Sequence, residues 1–270
     1  MTEKLFVGWC VFCFVMIFPS ISYANNFKAV FEACHVQGST VLYEAKRDHW
    51  VITDAEDADR RTLPASTFKI FHSLIALDTG AAKPGELFPW DGQKRELAIW
   101  NKDTTLEDAF RNSTVWVYEA IEKRISKNTY ARYLNWANYS NGDISHGNKD
   151  GNFWVYGRFG VSPKEQILLL EELYRNELPF SRVTMAHVRQ MMFVGDSENG
   201  RVYGKTGWTR QNGFHIGWWI GYVETETGPL FFATRITKET TKALDNFIEC
   251  RKSITSQIIQ SCLDDVASKQ

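Results

Sequence analysis

Alternating apolar and polar positions predict strands near both ends of the chain. Residues 39–45 and 50–53 alternate in this way on either side of a short charged turn, and together they predict a β-hairpin. The alternation returns toward the C-terminus, in residues 201–203, 216–223 and 230–236. Gly228 and Pro229 lie between the last two of these segments and indicate a tight turn.

The middle of the chain has the spacing of helices instead. Thr104 with Glu107, and Ser162 with Glu165, have the three-residue spacing of capping boxes. The second pair precedes apolar residues at helical intervals, so a helix is predicted to begin there. A last helix is predicted from about residue 240 to residue 266.

Strands at both ends around a helical middle predict an α+β fold. We expect one antiparallel sheet built from both chain ends, flanked by terminal helices, with an all-helical subdomain of about residues 66–195 inserted into it. No linker, internal repeat or charge block divides the chain, so residues 25–270 are expected to form a single domain. A cleft is expected where the sheet meets the inserted helices.

The first 24 residues have the layout of a secretory signal peptide. Lys4 precedes an apolar stretch, residues 5–18, which Pro19 interrupts before the small-residue site that ends at Ala24. The stretch is shorter than the about 20 residues that a membrane-spanning helix needs, although an uncleaved anchor is the alternative. We expect cleavage after Ala24 and a periplasmic or secreted mature protein that is not attached to a membrane.

The charge composition argues against polyanionic partners. The 31 Lys and Arg nearly balance the 32 Asp and Glu, which leaves no basic field for nucleic acid or an anionic membrane. A small-molecule or peptide-like substrate fits such a chain better, and both a monomer and a homodimer are compatible with it. The six histidines include no His-x-x-x-His pair, so a zinc hydrolase would lack its ligands. Neither a metal nor an organic cofactor is expected.

Three cysteines, Cys34, Cys250 and Cys262, follow the predicted cleavage site. An odd number in an oxidising compartment means that they do not all pair within the chain. Cys34 lies near the start of the mature chain and the others lie in the predicted last helix, so a bridge forms only if the two termini meet. Spacing alone leaves bridged and unbridged arrangements open.

The strongest chemical signal is the pair Ser66 and Lys69, in the run Pro-Ala-Ser-Thr-Phe-Lys. A helix predicted over residues 66–79, just after Pro64, places Ser66 in its first turn, where free N–H groups favour negative charge. Lys69 lies on the same face of a helix that is apolar nearly all round, which predicts a buried, uncharged amine. Such an amine can deprotonate a serine, although an N-cap serine beside a surface lysine also fits the motif.

Two further motifs follow in order, Ser113-Thr114-Val115 and Lys205-Thr206-Gly207, the latter in a predicted strand. This is the motif order of the penicillin-recognising enzymes, and the chain resembles their class D, or oxacillinase-type, β-lactamases over nearly its whole mature length. Val115 indicates the class, because class A enzymes have an Asn there and use a separate Glu base. The resemblance implies a β-lactamase/transpeptidase-like fold and hydrolysis of the amide bond of β-lactam antibiotics.

The resemblance also implies a role for each motif residue. Ser66 would form the acyl-enzyme, and Lys69 would carry a CO₂-derived carbamate (N6-carboxylysine) as general base. Ser113, for which an N-cap position is the alternative, would relay a proton to the leaving nitrogen, beside the ammonium of Lys205. The substrate-binding residues would be Val115, Thr206, Gly207, Trp208 and Arg251.

Residues outside the three motifs are assigned on the same grounds. Trp154 would hold the carbamate through its indole N–H, with Phe68 and Val155 as an apolar wall, although tryptophan is more often a core residue. Arg251 would pair with the β-lactam carboxylate, unless it is an ordinary helix charge. Backbone N–H groups of Ser66 and Trp208 would form the oxyanion hole.

One segment departs from the family pattern. The chain has Tyr139-Ser140-Asn141 where Tyr-Gly-Asn is usual, and the central serine constrains the turn more than glycine would. Tyr139 is therefore given a supporting role.

Two other activities share these motifs. A D,D-peptidase would use the same pair on cell-wall peptides, although such enzymes often carry additional domains. A sensor domain would be acylated by a β-lactam at Ser66 without turnover. Such sensors are attached to several membrane-spanning segments, whereas the sequence has one apolar run. The prediction is a class D β-lactamase.

Overall fold

The computed structural model describes residues 24–145, 147 and 151–267. The predicted signal peptide, residues 1–24, lies outside the described residues except for Ala24, the first residue of a helix. The strands in the described ranges are β1 (Gln37–Glu44), β2 (His49–Ile52), β3 (Leu87–Phe88), β4 (Thr104–Thr105), β5 (Phe193–Ser197), β6 (Gly200–Gln211), β7 (Phe214–Thr225) and β8 (Gly228–Glu239).

The helices of the same ranges include several short ones. They are α1 (Ala24–Ala33), α2 (Ala55–Asp59), α3 (Lys69–Asp78), α4 (Leu106–Arg111), α5 (Val115–Glu122), α6 (Lys127–Trp136), α7 (Phe153–Tyr156), α8 (Pro163–Arg175), α9 (Arg182–Met191) and α10 (Phe247–Ala267). Two 3₁₀ turns, Ala65–Phe68 and Ala98–Trp100, complete the set. No helix in this part of the chain is both long and apolar enough to cross a bilayer.

Six strands form an antiparallel sheet in the order β2-β1-β8-β7-β6-β5. The pairing of β1 with β8 joins the two ends of the chain, and the helices from α2 to α9 lie between β2 and β5 in sequence. The predicted α+β fold is confirmed, with a sheet built from both chain ends.

The sheet is buried on both faces, and β7 shows why. Trp218, Ile220 and Tyr222 point into one apolar core, while Trp219 and Val223 point into the other, as the two-residue period of a strand requires. The first core is shared with the inserted helices. The second lies under α1 and α10, and Cys34 and Cys250 form a disulfide there, with their Cα atoms 6.1 Å apart. The termini therefore meet.

Several elements differ from those predicted. Thr105, not Thr104, caps α4, because Thr104 and Thr105 pair with β3, so the insertion also contains a small two-stranded sheet. The last helix begins at Phe247 and not near residue 240, because Asn246 has a left-handed backbone, with φ 55°, that a helix interior excludes. Strand β5 was not predicted. The capping box at Ser162 and Glu165 forms as expected.

Candidate active site

Ser66 and Lys69 lie where the 3₁₀ turn Ala65–Phe68 passes into α3. Lys69 Nζ is 3.2 Å from Ser66 Oγ, within hydrogen-bonding distance. The Lys69 side chain is fully buried, and this loss of hydration lowers the pKa of its ammonium group to about 7. Near neutral pH much of the amine is therefore uncharged and able to accept a proton.

The apolar character of α3 explains this burial. Ile70, Phe71, Leu74 and Ile75 are all inaccessible to solvent, so the helix lies inside the core as its sequence predicts. The ring of Tyr118 on α5 lies under the amine, with Lys69 Nζ 4.6 Å from the ring centroid. The lysine is thus held against aromatic surface with its amine at the cleft.

A chain of hydrogen bonds supports the turn that carries Ser66. Ala65 has φ 51°, a left-handed backbone that a non-glycine residue adopts only where its surroundings enforce it. Thr67 Oγ1 donates to Pro64 O at 2.8 Å and accepts from Gln166 Nε2 at 2.9 Å. Tyr139 OH in turn donates to Gln166 Oε1 at 2.9 Å. Tyr139 therefore contacts Gln166 and not the Ser66–Lys69 pair.

Gln166 was not singled out from the sequence. One feature of the sequence could have identified it. Gln166 is a polar residue directly after the capping box, in the first turn of α8, and it lies on the side of the helix that the apolar spacing predicts to be buried. A buried amide in such a position needs hydrogen-bond partners, and here they are the turn and Tyr139.

Ser113 lies in the tight turn between α4 and α5, with φ 55°. It is not the N-cap of α5, since Thr114 occupies that position and Val115 begins the helix. Lys205 Nζ on β6 donates hydrogen bonds to Ser113 Oγ and to Thr206 O. The second and third motifs are therefore in direct contact.

The edge of β6 closes the cleft on the sheet side. Strand β5 pairs with β6 along residues 200–203, so the later part of β6 has no described strand beside it on that edge and lies against the 3₁₀ turn. A Cβ atom at Gly207 would lie 2.7 Å from Pro64 O, which only glycine avoids. Trp208, the next residue, is 39% exposed at the cleft.

Trp154 lies fully buried in the one-turn helix α7, which contacts the 3₁₀ turn that carries Ser66. Its ring stacks on Phe68, with the ring centroids 5.9 Å apart, and Val155 follows it in a half-buried position. The indole Nε1 has no hydrogen-bond partner among the described residues. A buried donor of this kind is costly unless a partner completes it.

Arg251 on α10 reaches the same strand from the other face of the sheet. Its side chain is buried, and Arg251 Nη1 donates a 2.6 Å hydrogen bond to Gly207 O. Burial lowers the pKa of the guanidinium to about 10. The structure therefore brings Ser66, Lys69, Ser113, Lys205 and Trp154 together, and connects Arg251 to them through Gly207.

The chain is similar to known proteins over most of its length. Residues 38–260 match the family model of the penicillin binding protein transpeptidase domain. Beta-lactamase OXA-3 of Pseudomonas aeruginosa is 39% identical over 240 residues, which cover 88% of this chain and 84% of that protein. A crystal structure of a class D β-lactamase from Sebaldella termitidis superposes with a TM-score of 0.83 at 34% identity, covering 88% of this chain and 95% of that one. The chain belongs to the class D β-lactamase family.

One further match is of a different kind. Regulatory protein BlaR1 of Bacillus licheniformis is 33% identical over 233 residues, which cover 85% of this chain but 38% of that protein. The identity is lower than that to OXA-3, and a single part of the regulator matches. The predicted family and enzyme class of this class D β-lactamase are confirmed.

The charge of one buried lysine of this class D β-lactamase acts on the other. The pKa of Lys205 is lowered well below its ordinary value, mainly by burial and further by the positive charges of Lys69, Arg251 and Lys252. A loss of positive charge at Lys69 would therefore favour the ammonium form of Lys205. Within the described ranges no cluster of His, Cys, Asp or Glu side chains could hold a metal ion.

Proposed function

We propose that this class D β-lactamase hydrolyses the amide bond of β-lactam antibiotics through an acyl-enzyme on Ser66. The observation that carries the proposal is the 3.2 Å contact between Ser66 Oγ and the fully buried amine of Lys69. A serine hydroxyl is a weak nucleophile until a neighbouring base takes its proton. An amine whose pKa lies at about 7 can be that base or can react with CO₂.

We further propose that Lys69 carries a CO₂-derived carbamate, N6-carboxylysine. Three features fit such a group: an amine that is partly uncharged near neutral pH, an apolar wall that includes Phe68, and the buried Trp154 N–H with no partner in the described part of the chain. The carbamate would supply an anionic oxygen base beside Ser66. No metal or organic cofactor is needed for this chemistry.

Acylation follows from the positions of the two serines. Ser66 Oγ gives its proton to the base on Lys69 and attacks the lactam carbonyl carbon. Backbone N–H groups of Ser66 and Trp208 are the proposed donors to the oxyanion, each worth roughly 2.7–4 kcal/mol in enzymes of known mechanism. The carbon–nitrogen bond then breaks, and the nitrogen takes a proton from the hydroxyl of Ser113. The ammonium group of Lys205 in turn gives a proton to Ser113 Oγ.

Deacylation reuses the same base. A water molecule gives a proton to the base on Lys69 and attacks the ester carbon, and Ser66 Oγ leaves and regains a proton. The half-buried side chain of Val155, next to Trp154, would help to limit access of water to this region. The same residues thus support both halves of the reaction.

The substrate would lie along the free edge of β6. Gly207 would let an extended amide approach and pair with the strand, and Thr206 and the exposed Trp208 would contact it there. Val115, the first residue of α5, would contact the substrate from the helical side of the cleft. Arg251 is the proposed partner of the substrate carboxylate, since its guanidinium is already directed at Gly207 O.

The proposed location is the periplasm or the extracellular space. The signal-peptide layout of the first 24 residues and the disulfide between Cys34 and Cys250 support this proposal. A single domain over residues 25–270, acting as a monomer or homodimer on a small-molecule substrate, remains part of the proposal.

A turnover assay with a chromogenic cephalosporin, followed by mass spectrometry of the intact protein, tests this function. We expect many turnovers per enzyme and a protein that returns to its unmodified mass. A single burst that leaves the protein permanently acylated would favour the sensor function, which the similarity to part of BlaR1 makes the specific alternative. A parallel assay with an acyl-D-Ala-D-Ala peptide should show no release of D-Ala; release at a comparable rate would favour the D,D-peptidase.

A further inference from the structure

The turn that carries Trp154 is held at both of its ends. Asn152 caps it with a left-handed backbone, φ 60°, and its carbonyl oxygen accepts from Val155 N at 2.9 Å and Tyr156 N at 3.1 Å. At the other end Val155 O accepts from Thr209 Oγ1 of β6 at 2.8 Å. A helix of four residues has few hydrogen bonds of its own, so its orientation depends on these attachments.

Two carboxylates of α5 hold Asn152. Asn152 N donates to Glu122 Oε2 at 2.9 Å, and Asn152 Nδ2 donates to Glu119 Oε1. Asn152 is completely buried, where a hydrogen bond to a charged acceptor is stronger than in water. The carboxylates are partly buried, and burial beside Glu119 raises the pKa of Glu122 to about 7.

The position of Glu119 connects this contact to the reactive lysine. Glu119 lies one helical turn after Val115, on the helix that begins next to Ser113. Its negative charge acts on Lys69 and raises the pKa of that amine against the larger effect of burial. Helix α5 therefore contributes to the cleft at its first turn and holds the turn of Trp154 from its second.

We propose that Glu119 and Asn152 are positioning residues that direct the indole N–H of Trp154 toward Lys69. The inference rests on the proposed carbamate, because it says that the contact between Glu119 and Asn152 controls how tightly the carbamate is bound. The indole N–H is one donor on a rigid ring, so a small rotation of the turn would move it out of hydrogen-bonding range. Asn152 sets that rotation, and Glu119 holds Asn152.

Two substitutions at one position separate the hydrogen bond from the charge. Glu119→Ala and Glu119→Gln both remove the negative charge that acts on Lys69, but Gln keeps an oxygen that can accept from Asn152 Nδ2. Both residues are good helix formers. Any difference between the two variants therefore reports the hydrogen bond and not the loss of charge.

The measurement is the bicarbonate dependence of the purified full chain at constant pH. The first quantity is the bicarbonate concentration that gives half-maximal turnover of a chromogenic cephalosporin. The second is the intensity of the ¹³C NMR signal of the carbamate on Lys69, recorded in ¹³C-bicarbonate without substrate. We expect Glu119→Ala to require about fivefold more bicarbonate than Glu119→Gln, the size expected for the loss of one hydrogen bond between neutral groups. The NMR titration should shift by the same factor.

A matched control removes a hydrogen bond elsewhere among the inserted helices. Ser181→Ala deletes the cap of α9, where Ser181 Oγ accepts from Thr184 N at 3.1 Å. Its bicarbonate dependence should equal that of the parent even if its melting temperature falls. Should Glu119→Ala not fold, Asn152→Gly provides the same test from the other side, since glycine keeps the left-handed backbone and lacks the donor.

The outcomes distinguish the inference from the proposed function. If the parent enzyme shows no bicarbonate dependence and no ¹³C signal, the carbamate proposal itself is wrong. If the parent shows both, and Glu119→Ala and Glu119→Gln titrate identically, the positioning role is wrong while the carbamate stands. An Asn152→Gly variant that titrates like the parent would overturn the positioning role in the same way.

Discussion

The two buried lysines of the cleft have different surroundings. Lys205, on the sheet side, donates hydrogen bonds to Ser113 Oγ and Thr206 O. Lys69, on the helical side, donates to Ser66 Oγ, while the indole N–H of Trp154 close by has no acceptor within the described ranges. Burial lowers the pKa of both amines.

The two lysines are both buried, so burial alone does not determine what each amine does. The sheet side is a polar site whose hydrogen bonds are already made, as expected for a lysine that acts as an ammonium. The helical side has an amine that is partly uncharged near neutral pH and an unused donor, as expected for a site that an added acceptor completes. An anionic group on Lys69 would also reverse its effect on Lys205, whose pKa the Lys69 ammonium now lowers. An anionic group on Lys69 and an ammonium group on Lys205 would therefore stabilise each other.

Removal of the helical-side lysine should have the largest effect. We expect Lys69→Ala to lower kcat by about 10³-fold, within the range for loss of a general base. Because the same base would serve both halves of the reaction, acyl-enzyme that does form should persist. Stopped-flow hydrolysis of a chromogenic cephalosporin with intact-mass detection measures both effects, and a variant with the turnover rate of the parent would refute the role of Lys69.

Removal of the sheet-side lysine should have a smaller effect of a different kind. We expect Lys205→Met to lower kcat/KM by about 10²-fold through loss of proton relay and substrate binding, with no recovery on addition of bicarbonate. Steady-state kinetics with and without bicarbonate measure this. Lys252→Met is the matched control, a nearby lysine that packs on Trp219, and it should resemble the parent. Recovery of Lys205→Met by bicarbonate would remove the distinction between the two lysines.

Loss of the unused donor alone should weaken activity in a reversible way. Trp154→Phe keeps an aromatic ring beside Phe68 but lacks the N–H, so we expect about tenfold lower turnover in air-equilibrated buffer. Added bicarbonate should restore it by mass action. Trp219→Phe, on the other face of the sheet, is the control. A loss in Trp154→Phe that bicarbonate leaves unchanged would indicate a packing defect.

The disulfide should affect the stability of the fold and not the activity that depends on the two lysines. We expect Cys250→Ser to lower the free energy of unfolding by about 2–4 kcal/mol, because the bridge restricts the unfolded chain. Urea titrations of the variant, and of the parent with and without reductant, measure this. The kcat of the folded variant should match that of the parent. A large loss of kcat would mean that the terminal helices control the cleft.

The burial of Lys69 on the helical side was predicted from local information. The apolar residues around Lys69 are neighbours along one helix, so burial of the amine follows from the chain segment itself. The strands at both chain ends were equally readable, because alternation is a local pattern. Their joining into one sheet followed from general rules of layer packing and is confirmed.

What could not be predicted depends on contacts between distant segments. Asn152 and Glu119 are separated by 33 positions, and no local pattern marks either as a partner of the other. The same is true of Gln166, whose contact with Thr67 spans 99 positions, and of the disulfide between Cys34 and Cys250. Helix boundaries failed where a single backbone conformation decided them, as at Asn246.

The most direct test of the carbamate on Lys69 is ¹³C NMR of the parent enzyme in ¹³C-bicarbonate, measured together with turnover from about pH 5 to about pH 8. Below a pKa of about 7 the amine is mostly an ammonium and cannot capture CO₂, and above it the uncharged form prevails. We predict a carbamate signal that grows as the pH rises through this value, parallels turnover and is absent in Lys69→Ala. A fully active enzyme without that signal would contradict the account.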